Sequence, residues 1–368
     1  MDGRKPTHID AVITWVDGSD KRHRRKMEAV MDKMAGATPS QNAITGATPA
    51  NDSVTGAASA GKTRKSAGKA LNTSGSELET GRDRTRFRDN GELYYCLRSI
   101  RTFAPWIRTI HLVTDEQVPG FLTPGLMERW NVRIVDHREL FASYEWALPT
   151  FNSRTIETAL WRIPDLAGRF IYLNDDFVLT SPATPEDFFT TDGVVLRGKW
   201  NRISRYGPLS LKLNSIATNL SRRLLGITRS MNLLLQIRSA RLAGMSRRYF
   251  RTSHTPHPVR TETLRTWFKT NPRQFEENIA YRFRHEQQFN GIYLAHHLEI
   301  AQGSAVLRDA GDQLMINGEM DFGFTLRRKL KRIRMQEVRF VCLQGFERFP
   351  PSRQKEITET LDRLYEKT

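Results

Sequence analysis

The sequence predicts an α/β chain, with a mostly parallel sheet, flanking helices and a basic helical insertion. Three observations carry this reading. Short β-branched or apolar runs at residues 9–16, 109–114, 131–135 and 170–173 alternate with helix-period segments, the pattern of parallel strands joined by helical crossovers. The runs stop at carboxylates (Asp17, Asp115, Asp136 and the pair Asp175-Asp176), and ligands of open α/β sheets collect beyond the carboxyl ends of the strands. Apolar residues make up 39% of the 368 positions, with 19 Phe and 7 Trp, which supports a real core and excludes global disorder.

The totals narrow the class of protein. Cys96 and Cys342 both lie in apolar surroundings, which predicts buried thiols in a reducing compartment rather than a disulfide framework. No apolar run approaches the ~20 residues of a membrane span, and residues 1–6 do not resemble a secretory leader. The expectation is a cytoplasmic protein. The net charge of +17 favours polyanionic partners: nucleic acid, an anionic membrane face, or an anionic substrate or product. Zinc-ligand clusters, helix-turn-helix spacing and RNA-binding aromatic motifs are missing from the sequence, which argues against sequence-specific nucleic-acid binding.

Residues 9–16 read as the first strand, followed by Asp17-Gly18-Ser19-Asp20, where the glycine permits a tight turn or a close ligand approach. Asp17 is placed either as a strand-end ligand residue or as a turn aspartate. A helix with a basic first turn follows over 21–34. Residues 35–85 are rich in Gly, Ala, Ser, Thr and Asn and nearly devoid of large apolar side chains, so they cannot offset their ordering entropy and read as a flexible low-complexity insertion. The fold restarts at Arg86-Phe87-Arg88-Asp89-Asn90. There Asp89 or Asn90 is a good helix cap, Leu93, Leu97 and Ile100 share one face, and Arg86 and Arg88 flank a helix N-terminus that is either an anion site or an ordinary cap. The strands at 109–114 and 131–135 follow, and Asn152 or Ser153 caps a helix over 154–161.

The run Phe170-Ile171-Tyr172-Leu173 is continuous and apolar, as a buried central strand is, and it stops at Asn174-Asp175-Asp176. Unpaired carboxylates are costly at that depth, and a hard divalent cation, Mg²⁺ or Mn²⁺, is their natural partner together with a diphosphate. The competing reading makes Asn174 and Asp175 turn or helix caps. Residues 193–196 read as an edge strand. Between Gly193 and Thr261 there is no Asp or Glu against 14 Lys and Arg, with leucines and isoleucines interspersed. Residues 201–251 therefore read as a basic helical insertion: a lid over a diphosphate, a membrane-surface element, a groove for an anionic polymer, or a solvated face. His254-Thr255-Pro256-His257-Pro258 is a stiffened loop with two imidazoles, each either structural or a general base. Helices are expected over 261–269 and 272–298, the second carrying Arg284 and His285 close enough to share an anion. Residues 327–334 hold 6 basic side chains in 8 positions, another membrane or polyanion candidate. A late strand at 339–343 and an amphipathic helix from Ser352 close the chain. The catalytic core is expected over 1–34, 86–200 and 252–350 as a Rossmann-like unit, with 351–368 as a C-terminal helix.

Four blocks of this sequence together resemble the Stealth family. They are Trp15-Val16-Asp17-Gly18; a long block holding Arg86-Phe87-Arg88-Asp89-Asn90, Leu97-Arg98-Ser99-Ile100, Ala104-Pro105-Trp106, Thr150-Phe151-Asn152-Ser153 and Tyr172-Leu173-Asn174-Asp175-Asp176; His254-Thr255-Pro256-His257 through Arg284-His285; and residues 339–345. The blocks cover roughly half of the chain, and the long second block makes the match specific. The last block departs from the family's usual Cys-Leu-Asn-Asp, reading Cys342-Leu343-Gln344-Gly345 here, so it is left out of the expected metal site.

The resemblance implies transfer of a sugar-1-phosphate from a nucleotide diphosphate sugar to a sugar hydroxyl, forming a phosphodiester and releasing a nucleoside monophosphate. In this family the usual donor is UDP-N-acetylglucosamine with Mg²⁺. It further implies Asp175 and Asp176 on the metal with Asp17 as a further partner, and Arg86, Arg88 and Asn90 on the diphosphate. Asn152 and Ser153 would bind substrate, His257 or His254 would accept the acceptor's proton, and Arg284 with His285 would stabilise equatorial charge. The implied partners are a UDP-sugar, an oligosaccharide acceptor, an anionic polymer product and the cytoplasmic face of the inner membrane. Two other readings stand beside this one: a metal-dependent glycosyltransferase that releases UDP, and a basic polysaccharide-binding protein with an inactive site.

Overall fold

The computed structural model describes residues 8–36, 91–203 and 232–366. Its main sheet has the order β3-β2-β1-β4-β8. The strands are β1 (Ile9–Thr14), β2 (Ile110–Thr114), β3 (Val132–Asp136), β4 (Arg169–Asn174) and β8 (His257–Arg260). The first four run parallel and β8 closes the sheet antiparallel to β4, with Tyr172 opposite His257. This is the mostly parallel α/β sheet expected from the sequence.

Alternation along each strand sends side chains to two cores. Ala11 and Ile13 of β1 face α2 (Glu92–Phe103), whose Leu93, Leu97 and Ile100 are fully buried, while Val12 faces the opposite layer. That layer is built from α5 (Ser153–Ala159), α7 (Thr261–Thr270), α8 (Pro272–Ile279) and α9 (Gly291–Ala301). Helix α1 (Lys21–Gly36) follows β1, and the short α3 (Pro124–Arg129) and α4 (His137–Leu140) flank β3. At the amino-terminal end of the central strand Asp10, fully buried, accepts from Arg108, His111 and the Ala167 backbone, tying β1, β2 and the turn before β4 together.

Two small sheets complete the molecule. In one, β5 (Phe177–Leu179) pairs with β11 (Phe340–Gln344), which pairs with β10 (Gln313–Asn317). In the other, β6 (Val194–Arg202) lies between β7 (Arg248–Thr252) and β9 (Ala305–Arg308). Helices α6 (Asn232–Leu242), α10 (Phe324–Arg334) and α11 (Pro351–Glu366) pack around them. Both cysteines are free and buried, as the sequence predicts.

Several expectations are corrected. Residues 193–196 open a longer strand, β6, whose first half pairs with β9 and whose second half pairs with β7, so that β6 is the middle strand of its sheet. The segment 201–251 is not wholly helical: its end is β7, although α6 supplies a helix. Residues 272–298 form two helices, α8 and α9, separated by an irregular segment over 280–290 whose carbonyls at Tyr281 and Phe283 accept from Asn152 at the start of α5. Helix α2 carries Gly91 at its N-cap in the left-handed region (φ 91°), where a glycine is strain-free. Asp89, Asn90, Arg86 and Arg88 lie outside the described residues, as do most of the low-complexity insertion and residues 204–231.

Candidate active site

At its carboxyl end β4 is locked to β1. The Tyr172 hydroxyl donates to Asn174 Oδ1 at 2.8 Å and shares a 3.0 Å hydrogen bond with Thr14 Oγ1. The chain then turns through Asp175 and Asp176 into β5. Asp176 is held from two sides of β11: the Leu343 N–H donates to its carbonyl at 2.8 Å, and the Cys342 thiol donates to Oδ2 at 3.3 Å. His254 approaches from the segment between β7 and β8, its ring edge-on to Phe177 at 4.8 Å. One ligand atom each of Asp176, His254 and Cys342 lie within 4.8 Å of one another.

This cluster has unspent capacity. Asp176 Oδ1 and His254 Nδ1 are buried without a hydrogen-bond partner among the described residues, a state that costs energy unless a ligand or proton transfer uses it. A carboxylate oxygen with an adjacent imidazole nitrogen suits a divalent cation such as Mn²⁺, and the carboxylates alone suit Mg²⁺. The thiol fits less well as a ligand. Burial pushes the Cys342 thiol well up, the charges of Asp176 and Asp175 add to this, and the retained proton orients Asp176. Cys342 was missed in the sequence because only the β5–β11 register brings it opposite Phe177.

The two imidazoles of the 254–258 loop differ in setting. His254 is half-buried beside Asp176. His257 is 5% exposed, stacked on Tyr172 and enclosed by Phe177, Tyr293 and His296. Burial holds it well below the usual histidine range, with His296 and His254 adding to the effect, so it stays neutral. Of the pair, the geometry brings His254 to the acidic strand end and leaves His257 packed behind it.

A second polar group lies where the loop 280–290 meets α5. Asn152 is fully buried and caps α5. Its amide donates to the carbonyls of Tyr281 and Phe283 and to Gln288 Oε1 at 2.8–3.0 Å. The substrate contact expected of Asn152 is thereby replaced by a positioning role, since its polar atoms are consumed within the protein. The Arg284 guanidinium donates to Ser153 Oγ at 2.7 Å, and Arg154 donates to the His285 carbonyl at 2.8 Å. His285 stacks on Tyr281, accepts at Nδ1 from the Gln287 N–H, and leaves Nε2 buried without a partner. Arg284, His285 and Ser153 are therefore brought together, though by a loop instead of the helix expected. Glu157, one turn further along α5, is contacted by the Asn290 amide and pushed up to about 7 by burial. Its sequence context gave no signal, because desolvation is a property of the assembled core.

Asp17 forms a turn, with Oδ1 accepting from the Ser19 N–H at 2.7 Å. Its backbone is bridged to the loop after β2 by Gln117, whose Oε1 accepts from the Asp17 N–H and whose Nε2 donates to the Asp17 carbonyl. The carboxylates after β2 and β3 serve the fold: Asp115 pairs with Lys26, and Asp136 makes a capping box with Glu139.

Comparisons with known proteins show what this chain is similar to. The model for Stealth protein conserved region 2 matches residues 86–196, and that for conserved region 1 matches residues 7–35. A receptor polysaccharide phosphotransferase of Streptococcus oralis is 27% identical over 315 residues, covering 80% of this chain and 79% of that protein. A capsular polysaccharide phosphotransferase of Neisseria meningitidis is 33% identical over 51% of this chain and 40% of its own. An exopolysaccharide phosphotransferase of Streptomyces coelicolor is 29% identical over 78% of this chain, which spans only 25% of that relative. Among solved structures, the galactosyltransferase LgtC in complex with donor and acceptor sugar analogues overlays at a TM-score of 0.37 and 12% identity, over 75% of this chain and 93% of that one. This chain thus carries conserved regions 1 and 2 of the Stealth proteins, and they fall on the segments that build β1 and the acidic end of β4.

Proposed function

We propose that the chain transfers a sugar-1-phosphate during synthesis of a surface polysaccharide. In its narrower form the reaction moves an N-acetylhexosamine-1-phosphate from a UDP-sugar to a sugar hydroxyl of a growing chain, forms a phosphodiester and releases UMP. The observation that carries the proposal is the cluster of Asp176, His254 and Cys342 at the end of a central parallel strand, with two buried polar atoms left unpartnered. The names of the polysaccharide phosphotransferases that this chain resembles support the same reading.

In this proposal His254 accepts the proton of the attacking hydroxyl, a role typically worth ~10²–10⁴-fold in rate. Asp176, held by Cys342 and the Leu343 backbone, and Asp175 beside it carry a divalent cation, Mg²⁺ or Mn²⁺. When bound, that ion would neutralise charge on the diphosphate and on the departing nucleotide. Arg284, with Ser153 at its side, and His285 offer charge and donors to the transferred phosphoryl group. Arg86, Arg88, Asn90 and Asp17 are retained as donor-binding candidates.

The short reach between His254 and Asp176 favours one competing assignment, in which His254 is itself a ligand of the ion. The test is paired. UMP release from UDP-N-acetylglucosamine is assayed with Asp176→Ala and His254→Ala, and Mn²⁺ affinity is measured for each by electron paramagnetic resonance. Both variants should keep their fold and lose release. Asp176→Ala should lose Mn²⁺ binding, and His254→Ala should keep it. Loss of Mn²⁺ by His254→Ala would make that residue a ligand, and near wild-type release by either variant would remove it from the mechanism.

A further inference from the structure

The loop that joins β10 to α10, together with the outer face of α10, carries a surface that the proposed reaction does not use. Met320, Phe322 and Phe324 are 68%, 69% and 78% exposed. Exposed aromatic side chains are common singly, but three large apolar groups within five residues form a patch. The loop is held in one conformation from beneath. Asp321, 5% exposed, accepts from the Asn317 N–H at 2.7 Å and from Lys329 Nζ at 2.6 and 2.7 Å, and Lys329 also reaches the Met315 carbonyl. Asn317 Oδ1 accepts from the Glu319 N–H, and Arg348 pairs with Glu319. The polar residues of the loop face the protein and its apolar residues face solvent, the inverse of an ordinary surface turn.

Helix α10 continues the surface. Leu326, Leu330 and Ile333 are buried and define its core face. At 100° per residue the opposite stripe is Phe324, Arg328, Lys331 and Met335, with Arg327 and Arg334 on one flank. Met335 is 58% exposed. The stripe thus has an apolar residue at each end and cations between them. A helix lying in a bilayer interface has this form, with apolar groups entering the acyl boundary and long basic side chains reaching up to anionic headgroups. A polyanionic chain in solution would use the cations and gain nothing from Met320, Phe322 and Phe324.

We infer that the β10–α10 loop and the outer stripe of α10 dock the protein on an anionic phospholipid surface. The position suits an enzyme of surface polysaccharide. Gly318 leaves β10 beside the Gln344 carbonyl, one residue past Leu343, whose N–H holds Asp176. The docking loop and the acidic cluster therefore lie at the same end of the small sheet. The inference rests on exposure, charge and helix phase, and stands whether or not the proposed reaction is correct.

The test is flotation of the full chain with vesicles of phosphatidylcholine alone and of phosphatidylcholine mixed with phosphatidylglycerol. The protein should float with the anionic vesicles and stay behind with the neutral ones. Phe322→Ser with Phe324→Ser should weaken partition by about tenfold or more, and Arg328→Gln with Lys331→Gln should weaken it by about tenfold and reduce its salt dependence. All four side chains are exposed, so both double variants should melt as the parent does, which is checked by circular dichroism. Absence of flotation, or partition unchanged by the Phe pair, overturns the proposal. Conversion of an oligomer to a monomer by the Phe pair, with no vesicle binding in the parent, overturns it in favour of a second copy on this face.

Discussion

Glu157 shows what burial does to a single carboxyl. It sits at about 7 against an ordinary 4.5, because desolvation outweighs the Asn290 amide and the nearby charge of Arg154. The folded protein therefore keeps a proton that the unfolded chain releases between 4.5 and 7. The stability linked to this group is complete below 4.5 and falls as pH rises through that window. Glu157→Gln should raise the melting temperature more at about pH 8 than at about pH 5, and an equal shift at both would contradict the assigned burial. Buried imidazoles act in the opposite sense. His296 and His137 are held at about 3 and about 4 by burial, so stability is lost as pH falls below the ordinary 6.5. At the site itself, the sequence singles out Asp175 with Asp176 and His257 with His254 by residue type and position without choosing within either pair, whereas the settings of Cys342 and Glu157 depend on partners far along the chain, which no local pattern predicts.

The elements divide in the same way. Strands β1, β2 and β4 are legible because a parallel strand buried on both faces is a mostly apolar run, and β3, at the sheet's edge and only partly buried, shows through its β-branched Val132, Ile134 and Val135. The loop over 280–290 was read as helix because little within it breaks a helix. Its conformation comes from Asn152, which satisfies the Tyr281 and Phe283 carbonyls from outside, and from Gln288 within it, which accepts from the His285 N–H and ties the loop back to Asn278. Asn152→Ala would leave the Phe283 carbonyl buried without its donor and remove the cap of α5, while the Tyr281 carbonyl keeps Thr155 and Gln288 Oε1 keeps the His285 N–H. At ~1–3 kcal/mol for the unsatisfied carbonyl and ~1 kcal/mol for the lost cap, the expected loss is about 2–4 kcal/mol. Chemical denaturation measures it, and a loss under about 1 kcal/mol would mean that the loop holds itself. Because the same loop carries Arg284 and His285, the variant should also lose activity in proportion to its disorder. The late strand β11 was found in the sequence while its partners β10 and β5 were not, since short strands with non-local partners have too little periodicity to register.

For the whole molecule, charge and topology act together. The parallel sheet brings β1 and β4 side by side so that Thr14, Tyr172 and Asn174 lock the strand ends, and the smaller β5–β11 sheet then closes on Asp176 from the side. A net charge of +17 surrounds this with a field that favours anionic substrates and an anionic product. If the product carries a phosphate in each repeat, raising ionic strength should shorten the chains made, and product lengths unmoved between low and high salt would count against that retention. No described helix is long and apolar enough to cross a membrane. The central claim is that phosphorus travels with the sugar. Its most direct test is a UDP-N-acetylhexosamine donor radiolabelled at the phosphorus nearest the sugar, incubated with protein, Mg²⁺ and acceptor. The account predicts that the label enters the polymer and unlabelled UMP is released; label recovered in UDP, with sugar alone transferred, would contradict it.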